Sequence, residues 1–178
     1  MHIFVEGNSD KIFLQALCNY LNIDAQFIVT NGKNNLINYP NIKKYDNILI
    51  IFDADDNFQN SLNNIENQVN KIDENISPKI FLFPDNKNTG NLETLLENIC
   101  VYNDVKNCFI KYKDCINTLS SNNILFKNLN PKSQIFAYLE VFGYKHNHND
   151  LHQINYKDIF DFNHEILIPL IKFLQNNQ

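Results

Sequence analysis

The chain contains no arginine. All fifteen basic residues are lysine, set against twenty carboxylates for a net charge of −5. Arginine is the usual fork for phosphate and for guanine edges. Its absence, with the acidic balance, argues against a strong sequence-reading nucleic-acid binder. A phosphate substrate bridged by a metal remains open, because a divalent ion can carry the positive charge. No stretch approaches the roughly 18 consecutive apolar residues of a membrane span, so no membrane partner is expected. No basic region precedes the first apolar run Ile3-Phe4-Val5. The reading is therefore no signal peptide and a cytoplasmic location. None of Cys18, Cys100, Cys108 and Cys115 forms a Cys-x-x-Cys pair. In a cytosolic chain these are expected as buried reduced thiols, with no zinc site or disulfide framework.

What is present fits one globular domain, or one domain with a helical extension. The chain has 178 residues and a hydrophobic share of 44%, enough for a sizeable core. Asparagine is abundant throughout, yet apolar periodicity runs through it, so it reads as surface drift. Residues 2–5, 25–30, 47–52 and 79–83 read as strands. The third is the most continuous apolar run, as expected when both faces are covered. Between them, residues 9–21 and 57–75 carry apolar residues at helical spacing, with Asn8 or Ser9 as N-cap of the first. Residues 36–45 suggest a weak helix broken by Pro40. This alternation predicts an α/β fold: a Rossmann-like parallel sheet of about four strands with helices on both faces. Helices are then expected over 92–99, 105–119, 132–142 and 165–174, the third started by Pro131. Cys108, Phe109, Tyr112, Cys115 and Ile116 are spaced as the core face of the second. The expected division is 1–100 for the α/β domain and 101–178 for a helical extension packed on it.

Three acidic signatures follow predicted strands. Glu6-Gly7-Asn8-Ser9-Asp10 follows Ile3-Phe4-Val5, Asp53-Ala54-Asp55-Asp56 follows Ile48 to Phe52, and Gly90-Asn91-Leu92-Glu93 follows Ile80 to Phe83. Parallel neighbours would bring such carboxylates together at one sheet edge. Close carboxylates repel, and a cation relieves the repulsion. The pattern reads as a magnesium site, and hence as phosphate chemistry. Each signature also has a plainer reading. Glu6-Gly7 can be a loop turning into a helix, and the asparagine and acids at 8–10 can cap that helix. Asp53 and Asp55, alternate residues leaving a strand, can face one ion or simply terminate the strand. Asp56 reads as outward and solvated. Glu93 in a first helical turn can complement the helix dipole.

In this order the motifs resemble the Toprim domain, shared by topoisomerases, DnaG-type primases, small maturation nucleases and the overcoming-lysogenization-defect nucleases. The resemblance covers about residues 1–100. The stretch Gly90-Asn91-Leu92-Glu93-Thr94-Leu95-Leu96 is similar to that of small stand-alone bacterial Toprim-related proteins. The resemblance implies Glu6 as metal ligand or general acid-base group and Asp10 as the second acid of a Glu-x-x-x-Asp pattern. It implies Asp53 and Asp55 as paired ligands of Mg²⁺ or Mn²⁺, Glu93 as a later acidic ligand, and a lysine near the metals, for which Lys132 is the candidate. The 178 residues carry no tyrosine-bearing cleavage domain, zinc module or ATPase, which weighs against topoisomerase and primase activity.

The expected function is Mg²⁺-dependent phosphotransfer on DNA or RNA, of nuclease type. Two alternatives stay open: an accessory module binding metal or nucleic acid without cutting, and an aspartate-based phosphoacceptor or phosphatase-like domain using Asp53. A protein partner supplying a missing function is compatible with either. His146, His148 and His152 form a loop that could chelate zinc or nickel but reads first as hydrated. Most of the aromatic residues fall on apolar faces and read as core and not as base-stacking platforms.

Overall fold

The computed structural model describes residues 1–122, 125, 127, 129, 130, 132–143 and 155–178. The histidine loop and Pro131 lie outside them. The chain forms two compact units: residues 1–95 with 162–178, and residues 96–161.

The first unit is an α/β layer structure. Strands β1 (His2–Val5), β2 (Gln26–Val29), β3 (Ile48–Asp53) and β4 (Lys79–Phe83) form one parallel sheet in the order β2-β1-β3-β4. Alternation along the strands divides the core in two. Phe4, Ile48, Ile50, Phe52 and Leu82 pack with Ile65 and Val69 of helix α2 (Phe58–Ile72), and with Leu36 and Ile42. On the other face Phe83 meets Phe13 of helix α1 (Asn8–Tyr20) at 6.4 Å. Phe81 lies 5.3 Å from Phe173. Phe173 belongs to helix α7 (Ile168–Gln175), so the last helix covers the sheet of its own unit. Ile3, Val5, Leu49 and Ile51 are fully buried on that face. Ile48 to Phe52 of β3 are thus apolar at every position because helices cover both sides of the strand. The segment around Pro40 forms two 3₁₀ turns, Leu36–Asn38 and Pro40–Lys44. Proline at the start of the second is tolerated because that amide has no helical partner. Helix α1 starts one residue earlier than expected, with Gly7 as N-cap.

Helix α3 (Leu92–Asn98) leads into the second unit, which holds α4 (Asn103–Asn122), α5 (Ser133–Val141) and α6 (Tyr156–Ile159). Its core centres on Tyr138. The phenol donates to the Ile159 carbonyl at 2.7 Å and accepts the Tyr102 N–H at 3.2 Å, against the Phe160 and Phe142 rings. The expected core face of α4 is corrected: Cys108, Tyr112 and Cys115 are exposed, and only Phe109 and Ile116 are half-buried. Periodicity states which residues share a helix face. Whether anything covers that face is a tertiary matter. The same finding corrects the cysteines, because Cys18 and Cys100 are buried while Cys108 and Cys115 are open. Burial pushes both the Cys18 and Cys100 thiols up to about 11. Among the described residues no helix is long and apolar enough to cross a membrane.

Candidate functional site: an acidic crevice at the sheet switch point

From β1 the chain moves outward to β2, then returns to the opposite side of β1 for β3 and β4. The order reverses between β1 and β3. In open parallel sheets the loops leaving two such strands diverge, and a crevice opens at their carboxyl ends. Glu6 directly follows β1, and Asp53 is the last residue of β3. The Asp53 N–H donates to Glu6 Oε1 at 2.9 Å across that point. Asp53 Oδ1 in turn accepts the Leu92 N–H at 2.9 Å, from the first turn of α3. Three sequence signatures therefore meet through two hydrogen bonds.

The charges around this pair shape its ionisation. Glu6 is pushed from 4.5 up to about 7, first by burial and then by the charges of Asp10 and Asp55, against the lowering effect of the Asp53 N–H. Asp53 is pushed from 3.8 up to about 8, first by burial and then by the charges of Asp10 and Glu6, with Glu93 adding to them. Glu93 is buried in the first turn of α3. These are carboxylates crowded with like charge in a partly dry crevice, the circumstance in which such groups hold protons near neutrality.

The other expected residues take different positions. Asp10 turns back along α1, where its Oδ2 accepts the Gly7 N–H at 2.7 Å, a capping contact. Strand alternation stops at Asp53. Ala54 is buried and Asp55 is left-handed at φ +50°, so its side chain does not simply repeat the direction of Asp53. Asp55 pairs instead with Lys33. Asp56 is exposed, as read from sequence. Lys132 belongs to the helical unit, where its N–H donates to Asn130 Oδ1 at 2.9 Å just before α5.

Lys33 is the residue that sequence reasoning missed. It stands in the loop after β2, and the Asp55 carboxylate beside it raises its ammonium above the usual range. That loop is built firmly. The Thr30 hydroxyl lies 3.1 Å from the carbonyl oxygens of both Val5 and Gly32, and Gly32 N–H donates to the Glu6 carbonyl at 3.0 Å. Gln68, buried on α2, donates to the Lys33 carbonyl at 2.8 Å and accepts the Ile37 N–H at 3.2 Å. The available signal was Asn31-Gly32-Lys33 directly after a strand, the same strand-glycine pattern that drew attention to Glu6-Gly7. A second brace joins the loops after β3 and β4, where Asp55 and Gly90 exchange N–H···O bonds of 2.7 and 2.8 Å. Gly90 holds φ +137°, and a Cβ there would sit 3.1 Å from Pro84 Cδ and 3.2 Å from Thr94 Oγ1.

As a donor set the crevice offers only oxygen ligands, the chemistry of Mg²⁺, Mn²⁺ or Ca²⁺. Its mutual repulsion is of the kind a divalent ion would relieve. Among the described residues, no group of three or more His, Cys, Asp or Glu side chains is gathered closely enough to hold a metal ion. Asp10 and Asp55 are engaged by a backbone amide and a lysine, whose hydrogen bonds a cation would replace. The carboxylates suit such an ion by donor type and charge only; the described side chains are not gathered into a ligand set for one.

Fold and crevice together define a Rossmann-like α/β protein with an acidic switch-point site and appended helices. The chain belongs to the family described as "Protein of unknown function (DUF3226)", whose model matches residues 1–177. No curated protein and no solved structure matches it.

Proposed function

We propose that the protein is a Toprim-type, divalent-cation-dependent hydrolase of phosphodiester bonds in nucleic acid. The observation that carries this reading is the pairing of Glu6 and Asp53 at the switch point, both pushed toward neutral pKa by burial and by neighbouring carboxylates. Glu6 and Asp53 would hold Mg²⁺ or Mn²⁺, with Asp55, Asp10 and Glu93 supplying further negative charge. When bound, the ion supplies Lewis-acid stabilisation of phosphate oxygens and lowers the pKa of a coordinated water. Glu6, ionised, would accept a proton from the water that attacks phosphorus, while the P–O bond to the departing sugar oxygen breaks and that oxygen takes a proton from solvent. Lys33, beside Asp55, would supply the lysine near the metals, the position for which the resemblance had made Lys132 the candidate.

The phosphoacceptor alternative is less well supported. A nucleophilic aspartate must be ionised and open, whereas Asp53 is pushed to about 8 and already accepts the Leu92 N–H. The non-catalytic module keeps one specific support, the absence of three gathered ligands among the described residues. Cleavage separates the readings. Purified protein is incubated with single-stranded and supercoiled DNA and structured RNA, with Mg²⁺, Mn²⁺ or chelator. Metal-dependent products that vanish in Glu6→Gln are expected. No cleavage of any substrate, or undiminished cleavage by Glu6→Gln, leaves the non-catalytic module as the better account.

A further inference from the structure

The helical unit contains a cavity of about 150 Å³ lined by Phe109, Tyr112 and Lys113 of α4, Ser133, Gln134 and Ala137 of α5, and Leu129 and Asn130 before α5. Phe109 and Tyr112 are three apart on α4, so their rings lie on neighbouring turns of one side. Across from them Ser133 and Ala137 are four apart on α5 and small, which leaves the gap. Tyr112 lines this gap yet is 54% exposed, a ring with one side on a hollow and much of its surface open. This departs from the expectation that Tyr112 belongs to a core face of α4.

The chemistry of the walls selects an occupant. Aromatic and methyl surface suits the flat face of a ring, and the Ser133 hydroxyl and Gln134 amide suit a polar ring edge. Lys113 lines the cavity, next to Tyr112 on α4. Aromatic platforms interleaved with cations are the means by which proteins hold single-stranded nucleic acid without reading its sequence. Charge distribution agrees. Residues 96–161 carry seven lysines and seven carboxylates, while the sheet unit carries eight lysines against thirteen carboxylates. The whole −5 falls on the sheet unit, so a polyanion finds its less repulsive footing on the helices. A second copy docking through α4 is the weaker candidate. A 20-residue helix is about 30 Å long and 10 Å wide, so one face covers roughly 300 Å², well short of the ~800 Å² per partner of a stable interface.

We propose that the hollow between α4 and α5 is a subsite for one base of a single-stranded nucleic acid, stacked on Tyr112 and Phe109 with its backbone toward Lys113. The proposal deepens the nuclease reading and rests on nucleic acid being the substrate, but it requires no metal.

The test is anisotropy of labelled oligo-dT and oligo-rU of about ten nucleotides, with full-length protein in chelator. Wild type binds, and the affinity falls as salt rises. Tyr112→Ala, at an exposed position, and Ala137→Leu, which fills the cavity, each weaken binding about tenfold, the scale of one stacked base. The ratio of the two oligonucleotides tells DNA from RNA. Absence of binding in chelator, or equal binding by wild type, Tyr112→Ala and Ala137→Leu, overturns the subsite. Cleavage by wild type in Mg²⁺ or Mn²⁺ then decides the nuclease reading separately.

Discussion

Asp53→Asn should make the protein more stable, and only above a definite pH. Glu6 and Asp53 have folded-state pKa values raised to about 7 and about 8, from 4.5 and 3.8. The native state therefore binds more protons than the unfolded chain between about pH 4 and 8, and stability falls as pH rises through that window. The contribution is fully present below the unfolded values and gone above the folded ones. A tenfold change in acidity is about 1.4 kcal/mol, so the rise from 3.8 to about 8 caps the penalty at Asp53 at about 6 kcal/mol. Asp53 is not fully buried and shares its repulsion with Glu6, which brings the expected gain to about 2–3 kcal/mol. Asparagine retains an oxygen to accept the Leu92 N–H, so little is lost in exchange. The assay is thermal unfolding of wild type and variant from pH 4.5 to 9 in chelator. At pH 8.5 the variant melts roughly 5–10 °C higher, and the gap narrows steadily as pH falls to 4.5. Mg²⁺ or Mn²⁺ raises the wild-type midpoint at pH 8, by about 2.7 kcal/mol of stabilisation at a hundredfold excess over Kd, and leaves Asp53→Asn unmoved. A variant that is destabilised equally at all pH values, or that responds to the cation as wild type does, refutes the crowded-carboxylate account.

Other outcomes are read from single positions. Gly90→Ala introduces a Cβ against Pro84 and Thr94 at a positive φ; it should cost about 1–3 kcal/mol in chemical denaturation, and an unchanged midpoint counts against the Asp55–Gly90 brace. Thr30→Val removes a buried hydroxyl from the Val5 and Gly32 carbonyls and should lower stability by about 1–2 kcal/mol. Lys33→Gln breaks an exposed pair, so stability should shift by less than about 1 kcal/mol while cleavage falls tenfold or more; full cleavage removes Lys33 from the site. A thiol reagent should titrate Cys108 and Cys115 rapidly in the native protein, and Cys18 and Cys100 only on unfolding, as peptide mapping of the labelled sites will show.

Much of the fold was legible because each strand announces itself locally. Ile48 to Phe52 is apolar at every position, Lys79 to Phe83 stops at Pro84, and the intervening helices repeat at their own period. The carboxylates at 6 and 53 were legible for the same reason: a charged residue directly after a buried run lies at a sheet edge. Local pattern does not contain strand order. Only the packed sheet sets β1 beside β3, brings Glu6 within a hydrogen bond of Asp53, and makes that edge the point of reversal. Asp55 needed the third dimension as well, since its left-handed turn is held by Gly90, 35 residues on. Lys33 was hidden because the Gln68 amide that pins its loop is also 35 residues away. The helical region shows the limit from the other side. Periodicity grouped Cys108, Tyr112 and Cys115 on one face of α4, but burial of a face depends on what the rest of the chain lays against it. The sequence by itself determined the elements, the parallel class of the sheet and the acidic residues at its edge, because these follow from local hydrophobicity and turn chemistry. Tertiary structure alone decided which carboxylates meet, which lysine joins them and which helix face stays open, because those depend on contacts between residues far apart in the chain.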